Sequence, residues 1–174
     1  GSSDNSRQII KRLEAQDSRV RLIALEENQG TYEARNTALA EAVGEYVLVV
    51  DADDIPFPNL LQTHIQVLIE NDKVTAVISR AIKLTPELKI LNLAVRNVSS
   101  LTFKRRDAVD EIGYWDLTAK VSADTEFLLR VQSHFGEDRV LHIDQILALY
   151  VAQNTSLTRG GEFDLVFSRR SAGG

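Results

Sequence analysis

The chain of 174 residues contains no cysteine and no methionine, and it has a single tryptophan and three prolines. Without cysteine there is neither a disulfide nor a thiolate metal site. Without methionine there is no initiator residue, which predicts a chain cut or processed from something longer. No apolar run approaches the about 18 residues of a membrane span. Residues 1–17 are polar or amphipathic, unlike a secretory leader. Basic residues are in deficit: 20 Lys and Arg against 25 Asp and Glu leave a net charge of −5. Nucleic acid, gripped by neutralising its phosphates, is therefore not an expected partner. The short run Lys104-Arg105-Arg106 reads as a solvated loop or helix start.

What is present is ordinary for a globular protein, 44% hydrophobic and 26% charged, with length enough for one well-cored domain. Ser6–Gln16 reads as a helix with Ile9, Ile10 and Leu13 on one face and Asp4 or Ser6 as cap. Val20–Leu25 reads as a strand, and 31–43 as a helix stopped by Gly44. Tyr46–Val50 lacks polar alternation, which predicts a strand buried on both faces. Pro56 and Pro58 argue against regular pairing, and Pro58 can open a helix that turns Leu61, Ile65, Leu68 and Ile69 inward. Further strands are expected at Val74–Ser79, Ile82–Leu84, Leu88–Leu93 and Ser99–Phe103, with a hairpin turn at Thr85-Pro86-Glu87. Asp107 is expected to cap a short helix ended by Gly113, and Ser122 to cap a helix over Ala123–Phe135. Late strands are expected at Arg139–Ile143 and Ile146–Val151. The alternation in the first half implies an α/β fold with a parallel sheet flanked by helices, to which the second half adds antiparallel strands.

The stretch "YVLVVDADDIPFP" ends an apolar strand in Asp51, Asp53 and Asp54, where ligands of open α/β sheets gather. In extended backbone Asp51 and Asp53 project to one side and Asp54 to the other. Two carboxylates about 4 Å apart repel by about 1 kcal/mol in water and by more in a crevice. A hard divalent cation, Mg²⁺ or Mn²⁺, would offset that repulsion while keeping positions open for substrate phosphates. The plain alternative is a solvated acidic turn. A strand followed by Asp-x-Asp also opens the haloacid-dehalogenase phosphatases, but the residue after the acids and the motif's place in the chain fit that pattern less well.

Taken in series, "GSSDNS" (1–6), "NQGTYEARNTALAEAVGEYVLVVDADD" (28–54) and "SADTEFLLRV" (122–131) resemble family 2 glycosyltransferases of the GT-A fold, and "LALYVAQNTSLTR" (147–159) adds to the match. The resemblance implies a mixed, mainly parallel GT-A-like sheet in one domain over 1–174. Residues 1–81 would form its nucleotide-sugar half and 82–174 its acceptor half. It implies that Asp51 and Asp53 bind the metal and the nucleotide sugar, Asp53 more directly, with Asp54 in support. Asp124 matches the general base that deprotonates the acceptor hydroxyl. Arg35 matches the segment along the nucleotide crevice, and Asp4 lies in the turn beside the nucleobase. The activity implied is inverting transfer of a hexose-type sugar from a nucleotide diphosphate, a UDP-sugar foremost, to a glycan, lipid or protein acceptor, as in polysaccharide biosynthesis. A cytoplasmic setting is expected, with any membrane association supplied by flanking segments.

Two departures accompany the match. The family begins with a strand, a helix and a second strand ahead of the "GSSD" turn, and none precedes it here, so a non-catalytic or inactive sugar-nucleotide-binding module is the competing reading. Ala123 stands where an acid often precedes the base, which keeps Glu126 as an alternative to Asp124. Glu126 and Arg130, at i,i+4 spacing, also suit a surface ion pair. Arg35 could equally be a solvated helix residue. Tyr114 and Trp115 suit either stacking on an acceptor sugar or a packed loop. His64 reads as structural, and His134 and His142 lack metal-like spacing.

Overall fold

Strand β1 (Tyr46–Leu48) is half-buried at one end of a mixed sheet that also contains β2 (Asp54–Pro56), β3 (Ala76–Leu84), β4 (Ile90–Arg96), β5 (Thr102–Lys104) and β6 (Val140–Val151). The structure, a computed structural model, describes residues 1–96, 101–118 and 123–152. The sheet order is β1-β5-β3-β6-β2, and β4 pairs with the far half of β3. Helices α1 (Ser6–Gln16), α2 (Thr31–Ala40), α3 (Leu60–Glu70) and α4 (Ala123–Phe135) accompany it, with a π-helical turn over Arg106–Ile112. The α/β class and the mixed sheet are as expected, but the parallel share is smaller. Among the described residues β3 with β6 is the parallel pairing, and β1–β5, β5–β3, β3–β4 and β2–β6 are antiparallel. The first-half strands are separated in the sheet by strands from the second half, so chain-local alternation did not translate into neighbouring parallel pairs.

Both sheet faces are covered. Ala76 and Ile78 of β3 join Leu39 of α2 and Phe127, Leu128 and Val131 of α4 in one core. Val77 and Ala81, pointing the other way by strand alternation, pack in the clusters of Leu68 and Leu60 from α3. Likewise Val47 and Val49 pack toward the first core, and Tyr46 and Leu48 toward α3's side. That two-sided packing is why the segment before Asp51 has no polar alternation.

Several expectations are corrected. Val20–Leu25 forms no strand. It lacks a ladder partner among the described residues and is held by side chains instead: Arg7 donates to the Leu25 carbonyl at 3.3 Å, and Glu14 accepts the Leu22 amide at 3.0 Å. Helix α2 ends at Ala40, where the Ala42 amide bonds the Leu39 carbonyl at 3.1 Å and tightens the last turn. Pro56 does pair, within the short outer strand β2, where a missing N–H is tolerated. The inward face of α3 is Leu60, His64 and Leu68, while Leu61 and Ile69 are exposed.

The strands expected at Val74–Ser79 and Ile82–Leu84 are one, β3, and the two late strands are one, β6, with register shifts absorbing the polar interruptions. The hairpin stands, closed by Thr85 and Lys89. Asp107 sits inside the π-helical turn rather than capping it, while Gly113, at φ 87°, does end it. Lys104 and Arg105 bond the carbonyls of Asp72 and Gly44 at 2.8 and 2.9 Å, so the start of the basic run ties loops to the sheet. The strand expected at Ser99–Phe103 is β5, starting at Thr102, with 99–100 outside the described residues, as are the Ser122 cap and the match beyond Ala152. Among those residues no helix is long and apolar enough to cross a membrane.

Candidate active site

Gly30, at φ 88° and ψ 170°, makes the turn that starts α2. Few residues with a Cβ adopt that conformation. The helix carries Arg35 toward the end of β1, where Asp51 follows, and toward the first turn of α4, where Asp124 stands. Arg35 pairs with both acids. One terminal nitrogen lies 2.5 Å from Asp51 Oδ1, and the other forms a close ion pair with Asp124 Oδ1. The side chains are 12%, 35% and 20% exposed for Arg35, Asp51 and Asp124. Partly buried acids of like charge are thus held around one guanidinium, whose fork can serve two oxygens. The rings of Tyr32 and Trp115 each lie 5.9 Å from the guanidinium carbon, adding cation–π contacts.

The Trp115 indole N–H donates to Asp124 Oδ1 at 3.2 Å. Burial pushes the Asp124 carboxyl above its usual range, with Asp51 adding to the rise while Arg35 and the Trp115 bond oppose it. Burial would pull Arg35 down, but the Asp124 and Asp51 charges outweigh it and raise its proton affinity. An acid desolvated yet cation-paired suits a group that must hold and receive a proton.

Asp53 lies outside this cluster. Residues 52–53 form a turn closed by the Asp54 amide on the Asp51 carbonyl at 3.1 Å, not the extended segment assumed from sequence. Asp51 is half-buried against Arg35, Asp53 is exposed, and Asp54 is buried at the start of β2. Among the described residues no group of three His, Cys, Asp or Glu side chains is arranged to hold a metal ion.

Asp4 is not joined to the cluster. Its exposed carboxylate accepts the Ser6 amide at 3.0 Å at the start of α1, and bonding from the Ser6 side chain, with that amide second, holds it below the usual carboxylate range. Glu126 is bound by Arg130 at 2.5 and 3.1 Å, and Arg130 also holds the Ile112 and Tyr114 carbonyls, each at 2.8 Å. Glu126 is therefore tied to a structural clamp, and Asp124 is the acid that meets Arg35. Trp115 is buried between Phe103 and Phe127, which takes it out of any stacking on an acceptor, while Tyr114 remains exposed. His64 is fully buried as a core residue.

Sequence reasoning missed Asn36. Its side-chain amide donates to the Trp115 carbonyl and its oxygen accepts the Trp115 amide, both at 2.9 Å. The available signal was its place beside Arg35 on the same helical turn.

Comparison with known proteins gives this arrangement a family. The sequence profile of glycosyl transferase family 2 matches residues 1–131. The chain is 42% identical over 71 residues to the UDP-Glc:alpha-D-GlcNAc-diphosphoundecaprenol beta-1,3-glucosyltransferase WfgD of Escherichia coli, covering 41% of this chain and 27% of that protein. It is 33% identical over 159 residues to the succinoglycan biosynthesis protein ExoO of Rhizobium meliloti, covering 83% of this chain and 42% of that one. The chain thus spans less than half the length of either relative. Among solved structures, the mannosyltransferase of Pyrobaculum calidifontis in complex with GDP-Man and Mn²⁺ superposes over 100% of this chain and 53% of its own, at 18% identity and a TM-score of 0.74. The chain belongs to glycosyl transferase family 2 and has a GT-A fold.

Proposed function

We propose that this domain transfers a hexose-type sugar, with inversion, from a nucleotide-diphosphate donor to a hydroxyl of a glycan, lipid or protein acceptor in polysaccharide assembly. The observation that carries the reading is the meeting of Arg35, Asp51 and Asp124 from separate segments at the end of β1. Residues 1–81 contribute the donor side and 82–174 the acceptor side. Asp124 takes the proton of the acceptor hydroxyl, whose oxygen attacks the anomeric carbon as the sugar–phosphate bond breaks and the nucleotide diphosphate leaves. Arg35 opposes the upward push of burial on Asp124, and through Asp51 it belongs to the donor side. Asp4 belongs to the nucleobase end.

Asp53 and Asp51 would hold Mg²⁺ or Mn²⁺. They fit it as hard oxygen donors. Asp53 is exposed and has no hydrogen bond or ion pair among the described residues, and Asp51 Oδ1 is the oxygen that meets Arg35. A bound cation there supplies a Lewis acid for the charge on the leaving diphosphate. Relatives and fold neighbours name UDP-glucose, GDP-mannose and Mn²⁺. Among these donor classes a UDP-sugar is our assignment, since the relative naming UDP-glucose is matched at 42% identity.

Paired substitutions test the roles. Asp124→Asn should abolish turnover while leaving donor binding within about twofold, whereas Asp53→Asn should weaken donor binding. Unchanged turnover in Asp124→Asn rejects Asp124 as base. Donor binding without turnover in the unsubstituted protein favours the non-catalytic module.

A further inference from the structure

Trp115 is the only tryptophan in the chain, and its ring is stacked on Phe127 at 4.8 Å with 18° between planes and set edgewise to Phe103 at 5.9 Å. A phenylalanine would satisfy much of that aromatic packing. What the indole adds is one N–H, and it points to Asp124 Oδ1 at 3.2 Å. The indole's backbone is itself fixed, because Asn36 makes two reciprocal hydrogen bonds to it at 2.9 Å. One turn of α2 therefore carries both the cation that meets Asp124 and the amide that sets the height of the indole. A carboxylate oxygen offers about two lone-pair sites. Arg35 and Trp115 both use Oδ1, and among the described residues Oδ2 accepts no hydrogen bond.

We infer that Asn36 and Trp115 are positioning residues that present Asp124 with Oδ1 occupied and Oδ2 as the atom receiving the acceptor's proton. This rests on Asp124 being the base, as proposed above. In the step, the acceptor O–H bond breaks toward Oδ2 and the freed electron pair of that oxygen forms the bond to the anomeric carbon. The electrons of the old sugar–phosphate bond leave with the diphosphate. Holding one oxygen removes the carboxylate rotations that would present the wrong atom to the acceptor.

The single tryptophan makes the test direct, since ¹⁵N labelling yields one indole ¹H–¹⁵N resonance. Asp124→Ala and Asn36→Ala should each move that resonance and speed its exchange with water by about tenfold or more, as expected for loss of a hydrogen bond to a charged group. An indole resonance indifferent to both changes overturns the inference whatever the activity. In turnover, Trp115→Phe should lower kcat about tenfold with donor KM within about twofold. Asn36→Asp, which keeps the acceptor for the Trp115 amide but loses the donor to its carbonyl, should fall between Asn36→Ala and the unsubstituted protein. Full kcat in Trp115→Phe overturns the positioning role. If Asp124→Asn retains turnover, the base assignment fails and takes this inference with it. The indole resonance still distinguishes that outcome from an absent hydrogen bond.

Discussion

Arg35 and Asp124, 89 positions apart in the chain, form an ion pair in which Arg35 simultaneously reaches Asp51 at 2.5 Å. One guanidinium thus joins the acid at the end of β1 to the acid in the first turn of α4. Removing it would leave both half-buried acids without the cation they share.

Arg35→Ala should destabilise the fold by about 2–3 kcal/mol, somewhat less than the about 3–5 kcal/mol typical when one partner of a fully buried pair is removed. Arg35→Lys should recover only part of this, because a point ammonium cannot span both carboxylates. Urea denaturation checks both. An Arg35→Ala midpoint equal to that of the unsubstituted protein contradicts the bridging role.

His64 gives a pH signature. Its Nδ1 lies 2.8 Å from the Thr102 hydroxyl, and burial lowers its pKa from 6.5 to about 4. The unfolded chain therefore takes up this proton at higher pH than the folded one. The stability linked to His64 is complete above about pH 6.5 and is lost as pH falls to about 4, by at most about 3 kcal/mol. Asp4, Asp17 and Asp116 are held below their usual 3.8, so their acid loss comes at lower pH and is separable. His64→Gln should flatten the limb between pH 6.5 and 4 in chemical denaturation. A limb unchanged by this substitution assigns it to other groups.

Two backbone positions should respond oppositely. Gly30 has open space around a built Cβ but φ 88°, so Gly30→Ala should cost about 1–3 kcal/mol through backbone strain alone. Because Gly30 starts the helix of Arg35 and Asn36, activity should fall with it. Leu88, exposed in the β3–β4 turn, has φ 62°. Leu88→Gly should therefore stabilise by up to about 1 kcal/mol. Thermal midpoints moving the other way would contradict these assignments.

The parts of the site legible in sequence were those set by local rules. The helices at Ser6–Gln16 and Ala123–Phe135 follow from periodicity, and the observed bounds agree, whereas the strand expected over Tyr46–Val50 ends at Leu48 and is half-buried. Motifs in series named Asp51, Asp124 and Arg35. Their meeting through Arg35 was not legible, because it depends on how α2 and α4 pack on one sheet face. Long-range pairing also explains the misses. Val20–Leu25 has strand composition but no ladder, and the strand order separates β1 from β3 by β5. The face of α3 was misread because Leu60, Leu61, Leu68 and Ile69 are apolar around much of the helix. The polar His64, rather than another aliphatic, occupies its centre. Trp115 was ambiguous because packing and hydrogen bonding use different parts of the same ring.

Donor binding followed by isothermal calorimetry, with UDP titrated into the protein with and without Mn²⁺ and into Asp53→Asn, tests the account at its centre. The expected result is binding that requires Mn²⁺ and weakens about tenfold or more in Asp53→Asn, as loss of a carboxylate ligand to a hard cation predicts. UDP binding of equal strength with and without the ion, unaffected by Asp53→Asn, would contradict it.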